Sequence, residues 1–220
     1  MVVQWLPFHL LSDAEMRMTA KTLLEVFPHT TLWLSAIRHH GLLVASREPL
    51  RIDLAALGRK LAREGVRREL EPLRVSDPMD VLGWFVMGEE ALARYVGDAR
   101  VNTDDHPCLE FTPAMAYFAS TSYLVRNLTN LRKHRESVLP LLVNLGGSEE
   151  EVAAVGERVR RRFEATQHSI AGDVFYYLGR DDRAKGEYDT ALLIDPGDKN
   201  WANPAWREER TSSRPGGASQ

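Results

Sequence analysis

An apolar run, Val2-Val3-Gln4-Trp5-Leu6-Pro7, stands directly after Met1 and carries a single polar side chain. A nearly continuous apolar strand belongs where helices cover both faces of a sheet. The next stretch is helical. Ser12-Asp13-Ala14-Glu15 opens it, with a serine that accepts from backbone N–H groups and a glutamate three residues on. Met16, Thr19, Ala20, Leu23, Leu24 and Phe27 recur at three- and four-residue spacing, and Pro28 stops the pattern. Two β-rich runs follow at 31–37 and 42–46, separated by Arg38-His39-His40-Gly41. That turn is too short for a parallel crossover, so the two strands are predicted to pair antiparallel. Strand, helix, strand, strand in this order reads as the second half of an α/β sheet. The glycine-rich half that holds a nucleotide in such sheets is expected to be encoded elsewhere or lost.

The rest of the chain reads as mainly helical. Residues 54–97 carry two apolar stripes, Leu54-Leu57-Leu61 and Val81-Leu82-Phe85-Val86, and Asp77-Pro78 is a cap followed by proline at the first helical position. Residues 102–111 are irregular, with Leu109 and Phe111 as apolar anchors, and the pattern is helical again over 113–143. Gly146-Gly147 is a linker, and Ser148 caps a helix that begins with three glutamates at its positive end. The tail at 207–220 has almost no apolar content and is predicted to lack structure. The expected division is an α/β part at 1–112, a helical connector at 113–147, a helical region at 148–200 and a tail at 201–220.

Composition excludes several classes of function. A net charge of −3 argues against a nucleic-acid binder working by bulk electrostatics. The one cysteine, Cys108, forbids an internal disulfide and suits a reducing compartment, which gives a cytoplasmic expectation. No apolar run approaches the roughly 20 residues of a membrane helix.

Residues 165–198 span 34 positions, the period of a tetratricopeptide repeat. Gly172, Ala184 and Ala191 are small where two helices must approach, Tyr188 fills the gap, Gly179 lies in the turn and Pro196 closes the second helix. The alternative is a generic helical hairpin with alanine contacts. One repeat cannot bury its own apolar face, so it either docks on the α/β part or begins an array. Residues 149–164 are a candidate degenerate neighbour or cap.

The order of the first elements, with Gln4 near the end of the opening strand, Val26-Phe27-Pro28, Gly41 and Leu42-Leu43-Val44-Ala45-Ser46, resembles the C-terminal half of the spermidine synthase (polyamine aminopropyltransferase) fold. That fold is a relative of the S-adenosylmethionine methyltransferases, with a Rossmann-like sheet. The stretch Asn102-Thr103-Asp104-Asp105-His106-Pro107-Cys108-Leu109-Glu110-Phe111 is similar to one in larger bacterial members. The resemblance covers roughly half the chain, and it implies that an intact version transfers an aminopropyl group from decarboxylated S-adenosylmethionine to an amine. Gln4 then lines the amine pocket, its amide carbonyl accepting from an ammonium. His40 stands about where the family has a substrate-contacting tyrosine, and Asp104 and Asp105 are candidate walls toward a cationic substrate.

This sequence departs from the family in lacking the expected acidic residue after Gln4 and in placing Arg38 in the turn. The family's cofactor-binding elements precede the opening strand, so no cofactor site and no catalytic residue is expected within this chain alone. A missing N-terminal half, a second copy of the chain, or a protein held by the repeat are the expected partners. A non-catalytic interaction module built on the repeat is the competing reading.

Other clusters have ordinary explanations. Asp104, Asp105, His106, Cys108 and Glu110 match no metal-ligand spacing, and an aspartate capping the turn at Pro107 is expected instead. His39 and His40 are expected at the surface, and Cys108 as a packed thiol. Arg158, Arg160, Arg161 and Arg162 read as a solvated helix face with ion pairs. Phe175-Tyr176-Tyr177 is expected to pack between helices.

Overall fold

The computed structural model describes residues 1–111 and 113–198, and side chains outside 111–119. The tail at 207–220 and the side chain of Phe111 therefore lie outside the described residues. The chain is a mixed α/β structure dominated by helices. In order, its elements are β1 (Val2–Pro7), α1 (Asp13–Val26), β2 (His29–Leu34), β3 (His40–Ser46), β4 (Ile52–Asp53), α2 (Leu54–Leu61), α3 (Glu64–Leu70), α4 (Pro78–Leu82), β5 (Phe85–Met87), α5 (Glu89–Val96), α6 (Pro113–His134), β6 (Leu142–Val143), α7 (Glu149–Tyr177) and α8 (Asp181–Ile194).

Four strands form one sheet in the order β1-β3-β2-β5, and β4 and β6 make a short parallel pair. β3 runs antiparallel to both β1 and β2, with Trp5 opposite Leu42 and Trp33 opposite the same residue from the other side. The predicted antiparallel pair is thus present. Because both flank β3 in the same sense, β1 and β2 are parallel to each other and joined through α1. Side chains alternate along a strand, and the sheet carries a separate core on each face. Leu6, Leu32, Leu34 and Leu43 join α1, α5 and α6 in one. Trp33, Leu42 and Val44 join α4 and Val159 of α7 in the other.

Continuous burial falls on β2, where every residue after His29 is buried, rather than on β1. β1 is the outer strand. Val2, Val3 and Trp5 are 41%, 55% and 49% exposed, so apolar side chains face outward on both sides of it. The helical stripe expected across Val81 to Val86 is also corrected. α4 ends at Leu82, Gly83 and Trp84 turn the chain, and Phe85–Met87 pairs with β2. Four apolar residues at that spacing satisfy a helical pattern and a short buried strand equally well.

The helix starts follow their sequence signals. Ser12, Asp77 and Ser148 each accept from backbone and are answered by a carboxylate three residues on, at Glu15, Asp80 and Glu151. Residues 149–164 are not a separate neighbouring helix, because α7 runs without a break from Glu149 to Tyr177. Nor is 113–147 a mere connector: α6 puts Leu124, Leu128 and Leu131 into the first core. In the helical pair α7–α8, Ala165, Ala184 and Ala191 are buried and Gly179 has a positive φ of 71° in the turn. Gly172 lies against the ring of Tyr188, and a Cβ there would sit 2.5 Å from it.

Candidate functional site

The turn between β2 and β3 is where the two parts of the chain meet. Its sequence is polar, yet Arg38 is buried and its Nη1 donates to Asp173 Oδ2 at 2.9 Å. Tyr188 in turn donates its hydroxyl to Asp173 Oδ1 at 2.7 Å. Burial alone pulls the Arg38 pKa down, but Asp173 and Asp198 outweigh it and hold the guanidinium charged. His39 hydrogen-bonds through Nε2 to the hydroxyl of Tyr177. The expectation of two surface histidines is thus corrected. Both are half-buried, His39 against Tyr177 of α7 and His40 against Trp5 and His9.

An aromatic group surrounds this turn at the carboxyl end of β1. The ring of His40 lies 4.8 Å from that of Trp5 and 5.4 Å from that of His9, centre to centre. Burial, and then the neighbouring His9, lower the pKa of His40, which makes it a neutral imidazole at neutral pH. The Nδ1 atom of His9 is buried without a hydrogen-bond partner. No carboxylate takes part in these contacts. The group offers π faces and the neutral imidazole of His40, which suit a cation without fixing an ion pair.

The four residues singled out from the sequence are not gathered in one place. Gln4 pairs with Leu43 and shares its face of the sheet, whereas His40 pairs with Pro7 and shares the opposite face with Trp5. Gln4 is exposed at the outer strand, and its amide nitrogen donates to the carbonyl of Trp5 at 2.9 Å. Asp104 and Asp105 are exposed in a tight loop closed by the backbone bridge between Thr103 and His106. That loop is tied to the far end of α1, where Thr22 accepts from the Asn102 backbone at 2.9 Å. The expected aspartate cap at Pro107 is corrected: Asn102 Oδ1 receives the Leu109 N–H instead. Among the described residues, no group of three His, Cys, Asp or Glu side chains is arranged to hold a metal ion.

Below the turn the packed charges continue. Arg162 is buried and donates to Asp80 at 3.0 Å and Asp195 at 2.6 Å, which corrects its reading as part of a solvated face. Arg160 does behave as expected, reaching Glu157 and Glu164 in solvent. Arg135 donates to the carbonyls of Phe85, Gly83 and Phe163 and stacks on the Phe163 ring. Burial, reinforced by Arg38, brings its pKa down to about 9, so it remains a cation at neutral pH. These partners are far apart in sequence, and no local pattern joins them.

No family model matches the chain, and neither a curated protein nor a solved structure matches it. No helix among the described residues is long and apolar enough to cross a membrane.

Proposed function

We propose that this chain is the carboxyl-terminal portion of a spermidine synthase-like aminopropyltransferase, and that it works when a further sheet segment pairs with β1. The observation that carries this is β1 itself. It is the parallel partner of β2 through α1, its outer edge pairs with no strand among the described residues, and Val2, Val3 and Trp5 are exposed on both its faces. A strand that is apolar on both faces suits a sheet interior covered by helices, and an open, apolar edge is a template for strand addition. Ligands in doubly wound sheets bind beyond the carboxyl ends of the strands. Here that end carries Trp5, His9 and His40, with Gln4 on the opposite face of β1. An amine held there meets the π faces of Trp5, His9 and His40. The cosubstrate, decarboxylated S-adenosylmethionine, would be bound mainly by the added segment.

The test is the polypeptide encoded immediately upstream of Met1. A glycine-rich strand–loop–helix there, which co-purifies with this chain and binds decarboxylated S-adenosylmethionine in calorimetry only as the pair, is the expected result. An upstream frame with no such segment, or micromolar binding by this chain alone, overturns the proposal. A second reading, a non-catalytic module whose α7–α8 pair holds a protein partner, is favoured by Leu193 of α8, which is 83% exposed. Complex formation that fails in Leu193→Ser but survives Val3→Lys would select it.

A further inference from the structure

Residues 59–74 form an arm of unusual character. Arg59, Lys60, Arg63, Arg67, Arg68 and Arg74 outnumber Glu64, Glu69 and Glu71, so the arm carries +3 within a chain of net −3. Charge segregated in this way acts over a distance and selects partners by sign. Within the arm, α3 has no buried residue at all. Seven-residue helices are not stable in water on propensity alone, and α3 rests chiefly on α2 and the turn at 71–73. Val66, Leu70 and Leu73 recur at four- and three-residue spacing on one side, with Val66 and Leu73 exposed, and Arg63 and Arg67 form the adjoining row. Arg63, Arg67 and Arg74 make no ion pair among the described residues, and Arg68 reaches only the exposed Glu69 at 3.7 Å. An open pocket of about 370 Å³ lies beside this row, lined by Arg67, Glu71, Arg74, Val75 and Ser76.

We infer that this arm docks on an anionic lipid bilayer. An apolar row next to a basic row on one uncovered helix and the turns that flank it is an arrangement that suits a membrane interface, with the apolar side chains entering the acyl boundary and the cations meeting headgroup phosphates. The pocket between Arg67 and Arg74 has the donors for one such phosphate. Nucleic acid is a poorer fit, because the whole stretch 47–74 has no aromatic side chain on which a base can stack. The inference does not depend on the aminopropyltransferase reading, since the arm is remote in sequence from β1 and shares no residue with it.

The experiment is flotation of the full chain with vesicles of phosphatidylcholine, with and without about 30 mol% phosphatidylserine. The expected result is at least about tenfold more chain bound to the anionic vesicles, falling to the phosphatidylcholine level near 0.5 M salt as screening sets in. The variant R63E/R67E/R74E loses that binding, and V66S/L73S loses about half or more of it at unchanged charge. Neither touches a buried side chain, so both should melt with the parent, which separates lost docking from lost folding. Equal binding to both vesicle types, or anionic binding that either variant retains in full, overturns the inference. So does full competition by millimolar inorganic phosphate, which marks a free-phosphate site, and so does binding to duplex DNA but not to vesicles.

Discussion

Arg38 and Asp173 are 135 positions apart in the chain and 2.9 Å apart in space, and both are almost sealed from water. The pair joins the β2–β3 turn to the C-terminal part of α7, so the helical region and the sheet act as one body at this point. Removing one partner strands the other charge, and breaking a buried pair costs about 3–5 kcal/mol. Arg38→Ala and Asp173→Ala are each expected to lower the urea midpoint accordingly. The double change Arg38→Met with Asp173→Leu should recover most of the loss, because neither charge is left unpaired.

Gly172 and Tyr188 are matched in the same way by size. An added Cβ at 172 meets the tyrosine ring at 2.5 Å, and helix backbone cannot easily retreat from it. Gly172→Ala is expected to destabilise by about 1–3 kcal/mol in spite of alanine's better helix propensity. Combining it with Tyr188→Leu should be less than additive, because the leucine removes the ring that collides. Additive losses in chemical denaturation would disprove the contact.

Tyr95 is buried and donates its hydroxyl to Asp13 at 2.8 Å. Burial, and then the Asp13 charge, push its pKa well above the ordinary value of a phenol. The folded state therefore keeps a proton that the unfolded chain releases near pH 10. This contribution is complete below pH 10 and is lost as pH rises beyond it, by about 1.4 kcal/mol per pH unit. Tyr95→Phe should flatten the alkaline limb of the stability curve while costing about 1 kcal/mol at neutral pH for the lost hydrogen bond.

His40 has the opposite sign. Its pKa is lowered in the folded chain, by burial first and His9 second. The unfolded chain takes up the proton more readily, so the stability due to neutral His40 is present above about pH 6.5 and falls as the pH drops below it. An NMR titration should place its midpoint below 6.5, and His9→Gln should move it upward. A midpoint at or above the value of free histidine would show that the aromatic group is open to solvent.

The sequence was most legible where chemistry is local. Ser12 with Glu15, Asp77 with Asp80, and Ser148 with Glu151 are read within four residues, and the structure has all three caps. The match of Gly172 to Tyr188 was legible because a small residue on one helix and a large one on the next, joined by a short turn, sit where the two helices cross. The failures are long-range. Arg38 and Arg162 look like surface cations in any window of sequence, and their carboxylate partners Asp173 and Asp80 lie 135 and 82 positions away. Phe85 to Met87 became a strand because β2 offered it an edge, which no local pattern announces. The sequence order suggests Gln4 and His40 as neighbours in one site, yet the pairing register puts them on opposite faces, since a difference of one position along a strand reverses the side.

Amide hydrogen exchange along Val2–Pro7 in the full chain at dilute concentration tests most directly whether β1 presents a vacant edge. If it does, the amides directed away from β3 exchange nearly as fast as in an unstructured peptide, while those of β3, paired on both sides, stay protected. Uniform protection of β1 in a monomeric chain would mean that its outer side is already closed, and the case for a further sheet segment there would fail.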